Sequence, residues 1–168
     1  MKPISRGAPV LAVTVLLTVA AGVLSPSLES AVRPPKFNYH VAKLDNGLSV
    51  VLSEDHSTPI VHVELWYRVG SKNERPRRTG FAHLFEHLMF KGTTNHPRGE
   101  FDREMELRGS QTNAATWVDW TYYREKLPAG SLDLVCRLEA DRMENMVLND
   151  GQLESEREVV INERLLRV

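Results

Sequence analysis

The chain has 168 residues, 42% of them hydrophobic, and a formal net charge of −1. That length can bury one core and hardly two, and the near-neutral balance gives no reason to expect a nucleic-acid partner. A single cysteine, Cys136, excludes an internal disulfide, so the fold does not depend on oxidation.

At the amino end, Lys2 and Arg6 precede the aliphatic run "VLAVTVLLTVAAGVL", which is too short to span a bilayer comfortably. Residues 1–30 therefore read as a secretory signal peptide, with an uncleaved membrane anchor as the alternative, and residues 31–37 as a linker. The expected location is exported, periplasmic or secreted, or membrane-anchored if that segment stays attached.

From Tyr39 to Asp55, two short apolar runs flank Asp45-Asn46-Gly47, a tight hairpin signal. The stretch from Pro59 to Ser71 alternates Val61, Val63, Leu65 and Tyr67 with His62, Glu64, Trp66 and Arg68, which predicts a strand with two different faces. Phe81 to Phe90 is apolar nearly all round and is bounded by polar, charged runs, so it reads as a short buried helix. A second helix is opened by Pro97 and closed by Gly109. Asn113 to Leu127, rich in Thr, Trp and Tyr, reads as one further strand. Leu132, Val135, Leu138, Met143 and Met146 then recur at helical spacing, and Asn149-Asp150-Gly151 starts a long last helix. With the hairpin taken as one unit, the order is strand, strand, helix, helix, strand, helix, helix. This predicts an α+β domain, a layered antiparallel or mixed sheet with helices packed on it.

The first helix carries chemistry. His83 and His87 lie one turn apart on one face, and Glu86 sits beside them. A wet stripe is a poor explanation for three ionisable groups on so apolar a helix. Zinc takes neutral imidazole readily, and a catalytic zinc site uses three protein ligands plus a water. Glu86 need not bind metal, because it can take the water's proton as general base. The stretch His83-Leu84-Phe85-Glu86-His87 is the inverted zinc-peptidase signature. On the last helix Glu156 and Glu163 are two turns apart and share a face, whereas Glu154 and Glu158 read as solvated surface.

Beyond this motif, "LDNGLSVVL" and "GSQTNAATWVDWTYYREKLP" make the chain from about Asn38 resemble the N-terminal part of the pitrilysin/insulysin family of zinc peptidases, which includes the mitochondrial processing peptidase. The resemblance implies that Glu163, 76 residues after His87, is the third ligand of one zinc ion, and that Glu156, one heptad earlier, supports the ligand helix. It also implies that Asn113, Ala114, Ala115 and Thr116 form the edge to which an extended peptide adds as a strand. On its own residue type, Asn113 reads as a turn residue.

The remaining residues read plainly. Trp117, Trp120, Tyr122 and Tyr123 are sheet packing, Cys136 is a small buried side chain, and His40, His56, His62 and His96 lack partners at ligand spacing. Residues 38–168 are thus expected to be the N-terminal domain of such a peptidase, truncated at its C-terminal end. The function implied is zinc-dependent hydrolysis of peptides or unfolded segments, with a second family half or subunit as partner. The alternative is a non-catalytic partner subunit or binding module, but inactive halves lose the motif and this chain keeps every member of it.

Overall fold

The computed structural model describes residues 36–166, in two compact units divided after Glu54. The signal peptide or anchor expected over residues 1–30, and most of the linker, lie outside the described residues. No helix among the described residues is long and apolar enough to cross a membrane.

The first unit is the expected hairpin. Strand β1 (His40–Lys43) pairs antiparallel with β2 (Ser49–Leu52), with His40 opposite Leu52 and Lys43 opposite Ser49. Gly47 takes the positive φ of 90° that the turn requires, and the Asn46 side chain accepts the Leu48 amide at 3.0 Å.

The second unit is built on a three-stranded antiparallel sheet in the order β3-β5-β4, where β3 is Ile60–Tyr67, β4 is Gln111–Thr116 and β5 is Thr121–Pro128. The sequence predicts one strand where two are found, with the reversal at residues 117–120. That turn has no glycine or proline to announce it; tertiary bonds specify it instead. The Ser71 and Lys72 amides donate to the Trp117 and Val118 carbonyls at 3.0 and 2.8 Å. Gly70 allows this approach, since a Cβ there would lie 2.4 Å from the Trp117 carbonyl oxygen.

Four helices complete the unit: α1 (Phe81–Leu88), α2 (Glu100–Glu106), α3 (Leu132–Asn145) and α4 (Asp150–Leu166). Alternation in β5 buries Tyr123, Glu125 and Leu127 on one face. The core cluster is Phe101, Met105, Leu127, Val135 and Leu138, with Val61, Val63, Phe90 and Leu134 packed against it.

Charge lies within this core. Glu125, Glu139 and Arg142 are all buried; Arg142 pairs with Glu139 and lies 3.5 Å from Glu125. Its guanidinium carbon is 4.2 Å from the centroid of the Phe101 ring and 5.0 Å from those of Phe90 and Tyr123. Burial, then the charge of neighbouring Glu139, pushes Glu125 up to about 9.

Two expectations for aromatic and sulfur side chains change. Cys136 is exposed rather than buried, because the inward stripe of α3 is Val135, Leu138, Glu139 and Arg142. Trp120 and Tyr122 pack with Trp66 on the sheet, as read, but Trp117 is 64% exposed on the turn. The motif helix is also less enclosed than its composition suggests: Ala82, Leu84, Glu86 and Leu88 are buried, while Phe81 and Phe85 are exposed.

Candidate metal centre

Helix α1 begins where Glu74 holds it. The two oxygens of that carboxylate accept the Ala82 amide at 2.9 Å and the Gly80 amide at 2.8 Å, satisfying donors that have no partner within the helix. Helix α4 begins at Asn149, whose side chain accepts the Gln152 amide at 2.9 Å.

Between them, the loop after α1 is tied to the end of α3 and the start of α4. Asp141 accepts from Thr93, from Asn95 at 2.6 Å and from Asn145 at 2.8 Å. Burial raises the Asp141 carboxyl, but these hydrogen bonds outweigh it and hold the group below its ordinary range. The Gln152 side chain donates to the Lys91 carbonyl at 3.1 Å. These ties fix how α4 lies against α1.

That packing brings His83, His87 and Glu163 together, with one ligand atom from each all within 4.8 Å of one another. The two Nε2 atoms are 3.1 Å apart, and Glu163 reaches His83 Nε2 at 3.4 Å and His87 Nε2 at 3.7 Å. Ligand atoms at about 2.0–2.1 Å around a tetrahedral zinc stand about 3.3–3.4 Å from each other, so this donor set fits the ion in both chemistry and spacing.

Glu156 is buried behind it. One oxygen lies 3.5 Å from His87 Nδ1 and the other 2.9 Å from Lys91 Nζ, so the carboxylate sits against the imidazole nitrogen that faces away from the cluster. Glu154 and Glu158 are exposed, and Glu154 pairs with Arg157.

Glu86 is buried on the same helix as the histidines, and its Oε2 accepts the Thr116 hydroxyl at 2.6 Å. It borders two cavities. One, of about 330 Å³, is lined by His87, Phe90, Lys91, Asp102 and Thr112 to Ala114; the other, of about 420 Å³, is apolar and lies against Phe81, Phe85, Met89 and Tyr123. Asn113 to Thr116 run along β4, an outer strand of the sheet, with the Asn113 side chain exposed and accepting the Ala114 amide at 2.9 Å. Of these four, only Thr116 has a side chain on Glu86.

Sequence reasoning misses Glu74, Lys91 and Thr121. Lys91 is four residues from His87 and so at helical spacing from the motif, which is the one signal that could have found it.

Comparisons with known proteins give the chain's family. The profile of the insulinase family, peptidase family M16, matches residues 49–165. The zinc protease PqqE of Helicobacter pylori is 36% identical over 153 residues, covering 90% of this chain and 34% of that protein. Subunit 1 of the mitochondrial cytochrome b-c1 complex of Rattus norvegicus is 40% identical, and the beta subunit of the mitochondrial-processing peptidase of Bos taurus 35%, each over 73% of this chain and 25% of the relative. The chain thus spans about a quarter to a third of the length of these curated relatives.

Among solved structures, a protease from Helicobacter pylori superposes with a TM-score of 0.75 at 37% identity, over 79% of this chain and 32% of that one. Pitrilysin shares the fold with a TM-score of 0.71 at 24% identity, over 83% of this chain and 15% of that one. With the profile covering most of the chain and the fold shared, the chain belongs to the insulinase family of peptidases, peptidase family M16.

Proposed function

We propose that this chain carries the metal-binding and catalytic residues of a zinc-dependent endopeptidase acting on peptides or unfolded segments. The observation that supports it above the others is the convergence of His83, His87 and Glu163 at tetrahedral spacing beside a buried carboxylate that is not part of the set. In this reading His83, His87 and Glu163 hold one zinc ion, and Glu156 braces His87 from behind. Bound there, zinc supplies Lewis-acid polarisation of the scissile carbonyl and a water whose pKa is lowered to about 7.

The chain's own residues do the rest. Glu86 takes the proton of the attacking water and passes it to the departing amine. The outer edge of β4 from Asn113 to Thr116 receives the substrate backbone as an added strand. A second family half, on the same polypeptide or a separate subunit, is proposed to close over the peptide. Residues 1–30 are proposed to direct export, or to anchor the protein if uncleaved; a reporter fused to residues 1–35 and left wholly in the cytoplasm would count against this.

A non-catalytic subunit is the second reading, favoured by one observation: two of the relatives are by name subunits of larger assemblies. One set of variants separates the two. Glu163→Gln should lower zinc content of the purified chain while Glu158→Gln leaves it unchanged, and Glu86→Gln should keep the metal but lower turnover by about 10²- to 10⁴-fold. Unaltered zinc in Glu163→Gln sinks the ligand set; absence of peptide cleavage by the zinc-loaded chain with its second half supplied favours the subunit.

A further inference from the structure

A glutamate acting as a base must present one particular oxygen. The last torsion of its side chain is broad and roughly two-fold, so nothing intrinsic selects which oxygen faces the reaction. Here one contact makes the selection: the Thr116 hydroxyl donates to Glu86 Oε2 at 2.6 Å, and no described residue hydrogen-bonds to Oε1. A hydroxyl on an ionised carboxylate is a short, charge-assisted bond, stronger than one between neutral groups.

The hydroxyl is itself held in place. Thr116 and Thr121 are Cα partners in the β4–β5 register, next to the turn, and their hydroxyl oxygens are 3.1 Å apart. Thr121 is buried and donates to the Val69 carbonyl at 2.9 Å, so with both protons committed it backs Thr116 by contact and not by a hydrogen bond. Both side chains are β-branched and therefore stiff at χ1. The turn between them is pinned through the amides of Ser71 and Lys72, and a few residues on Glu74 sets the start of α1. One loop thus registers the threonine pair and the helix that carries Glu86 against each other.

We propose that Thr116, backed by Thr121, is the positioning residue of Glu86: it fixes the rotation of the carboxylate so that Oε1 is the oxygen left to take a proton. This rests on the reading of Glu86 as the base. It gives the Thr116 side chain a task separate from the β4 backbone, which stays available to a peptide.

The test uses the full chain, zinc-loaded and supplied with its second half, and an internally quenched peptide. Thr116→Val removes the hydroxyl at nearly constant shape, Thr116→Ser restores it, and Glu86→Gln is the control. The expected result is a kcat lowered by about 10- to 100-fold in Thr116→Val, as for a misplaced catalytic group, with KM and zinc content within about twofold of wild type. Thr116→Ser should recover most of the loss. A raised KM with unchanged kcat would make Thr116 a substrate-binding residue and overturn the proposal, as would unchanged kinetics or loss of zinc. Wild-type turnover in Glu86→Gln would instead bring down the assignment of the base itself. Where turnover is too slow to fit, crystal structures of the same variants decide: Glu86 should keep its rotamer in Thr116→Ser and leave it in Thr116→Val, and an unmoved carboxylate in the latter overturns the proposal.

Discussion

The two helices that meet at the candidate metal centre are held in different ways. Helix α1 buries Ala82, Leu84 and Leu88 beside Glu86 and is seated mainly by apolar contact, with Glu74 on its first amides and Thr116 on Glu86. Helix α4 buries only Glu156, which is 3% exposed, while Leu165 and Leu166 are 69% and 87% exposed. Its attachments are the polar ones already described: Gln152 on the Lys91 carbonyl, Glu156 between Lys91 and His87, and Glu163 on the two histidines. The contrast teaches where specificity comes from. Apolar burial supplies most of the seating of α1, with polar bonds at its start and at Glu86, whereas α4 is registered almost wholly by polar groups, among them those that the metal chemistry would use.

The contrast can be broken by three substitutions. Leu88→Ala should destabilise the fold by about 2–5 kcal/mol, since Leu88 is fully buried. On the proposed zinc reading, Glu156→Gln should cost zinc affinity by about 10- to 100-fold, as expected for a group that braces a ligand. Leu165→Ala should stay within about 0.5 kcal/mol of wild type. Denaturant unfolding and chelator competition give the three values, and a costly Leu165→Ala would mean that α4 is seated by apolar packing after all.

A smaller effect sharpens the comparison from the core. The folded chain holds a proton on Glu125 that the unfolded chain releases near the ordinary glutamate value of 4.5. Between about 4.5 and about 9 the native state therefore binds more protons than the unfolded one, and stability from this group declines as pH rises through that window. Thermal unfolding from pH 6 to 9 should show that decline, and Glu125→Gln should flatten it. An equally steep decline in the variant would place its cause elsewhere.

How much of this was legible in the sequence follows from the range of the forces involved. His83, Glu86 and His87 are read correctly as neighbours because helical spacing is local. The hairpin at Asp45-Asn46-Gly47 is legible for the same reason. Glu156 and Glu163 can be placed on one face by spacing, but which helix they meet is a tertiary fact, and only the family resemblance supplies it.

The misses are non-local. Nothing between Trp117 and Trp120 announces a reversal, because the donors that hold it belong to Ser71 and Lys72. Cys136 is read as inward because apolar residues are expected to define the inner stripe, and here Glu139 and Arg142 occupy it, made tolerable by pairing with each other and by the rings of Phe90, Phe101 and Tyr123.

Gly70 lies three residues beyond the end of β3, and its backbone is ordinary: φ is −158°, which any residue adopts without strain. What restricts the position is room alone. The carbonyl oxygens of Trp117 and Val118 and the Asp119 nitrogen would all lie within 2.7 Å of a side chain's first carbon. They are backbone atoms and cannot rotate aside, so even a methyl group would have to push the whole turn outward. Thr116 and Thr121 flank that turn, and a single added carbon on a residue that touches neither the candidate metal ligands nor the proposed base would be passed along the hairpin as a displacement of the hydroxyl on Glu86. Position 70 behaves as a gauge block: its thickness sets the clearance of a mechanism assembled several residues away.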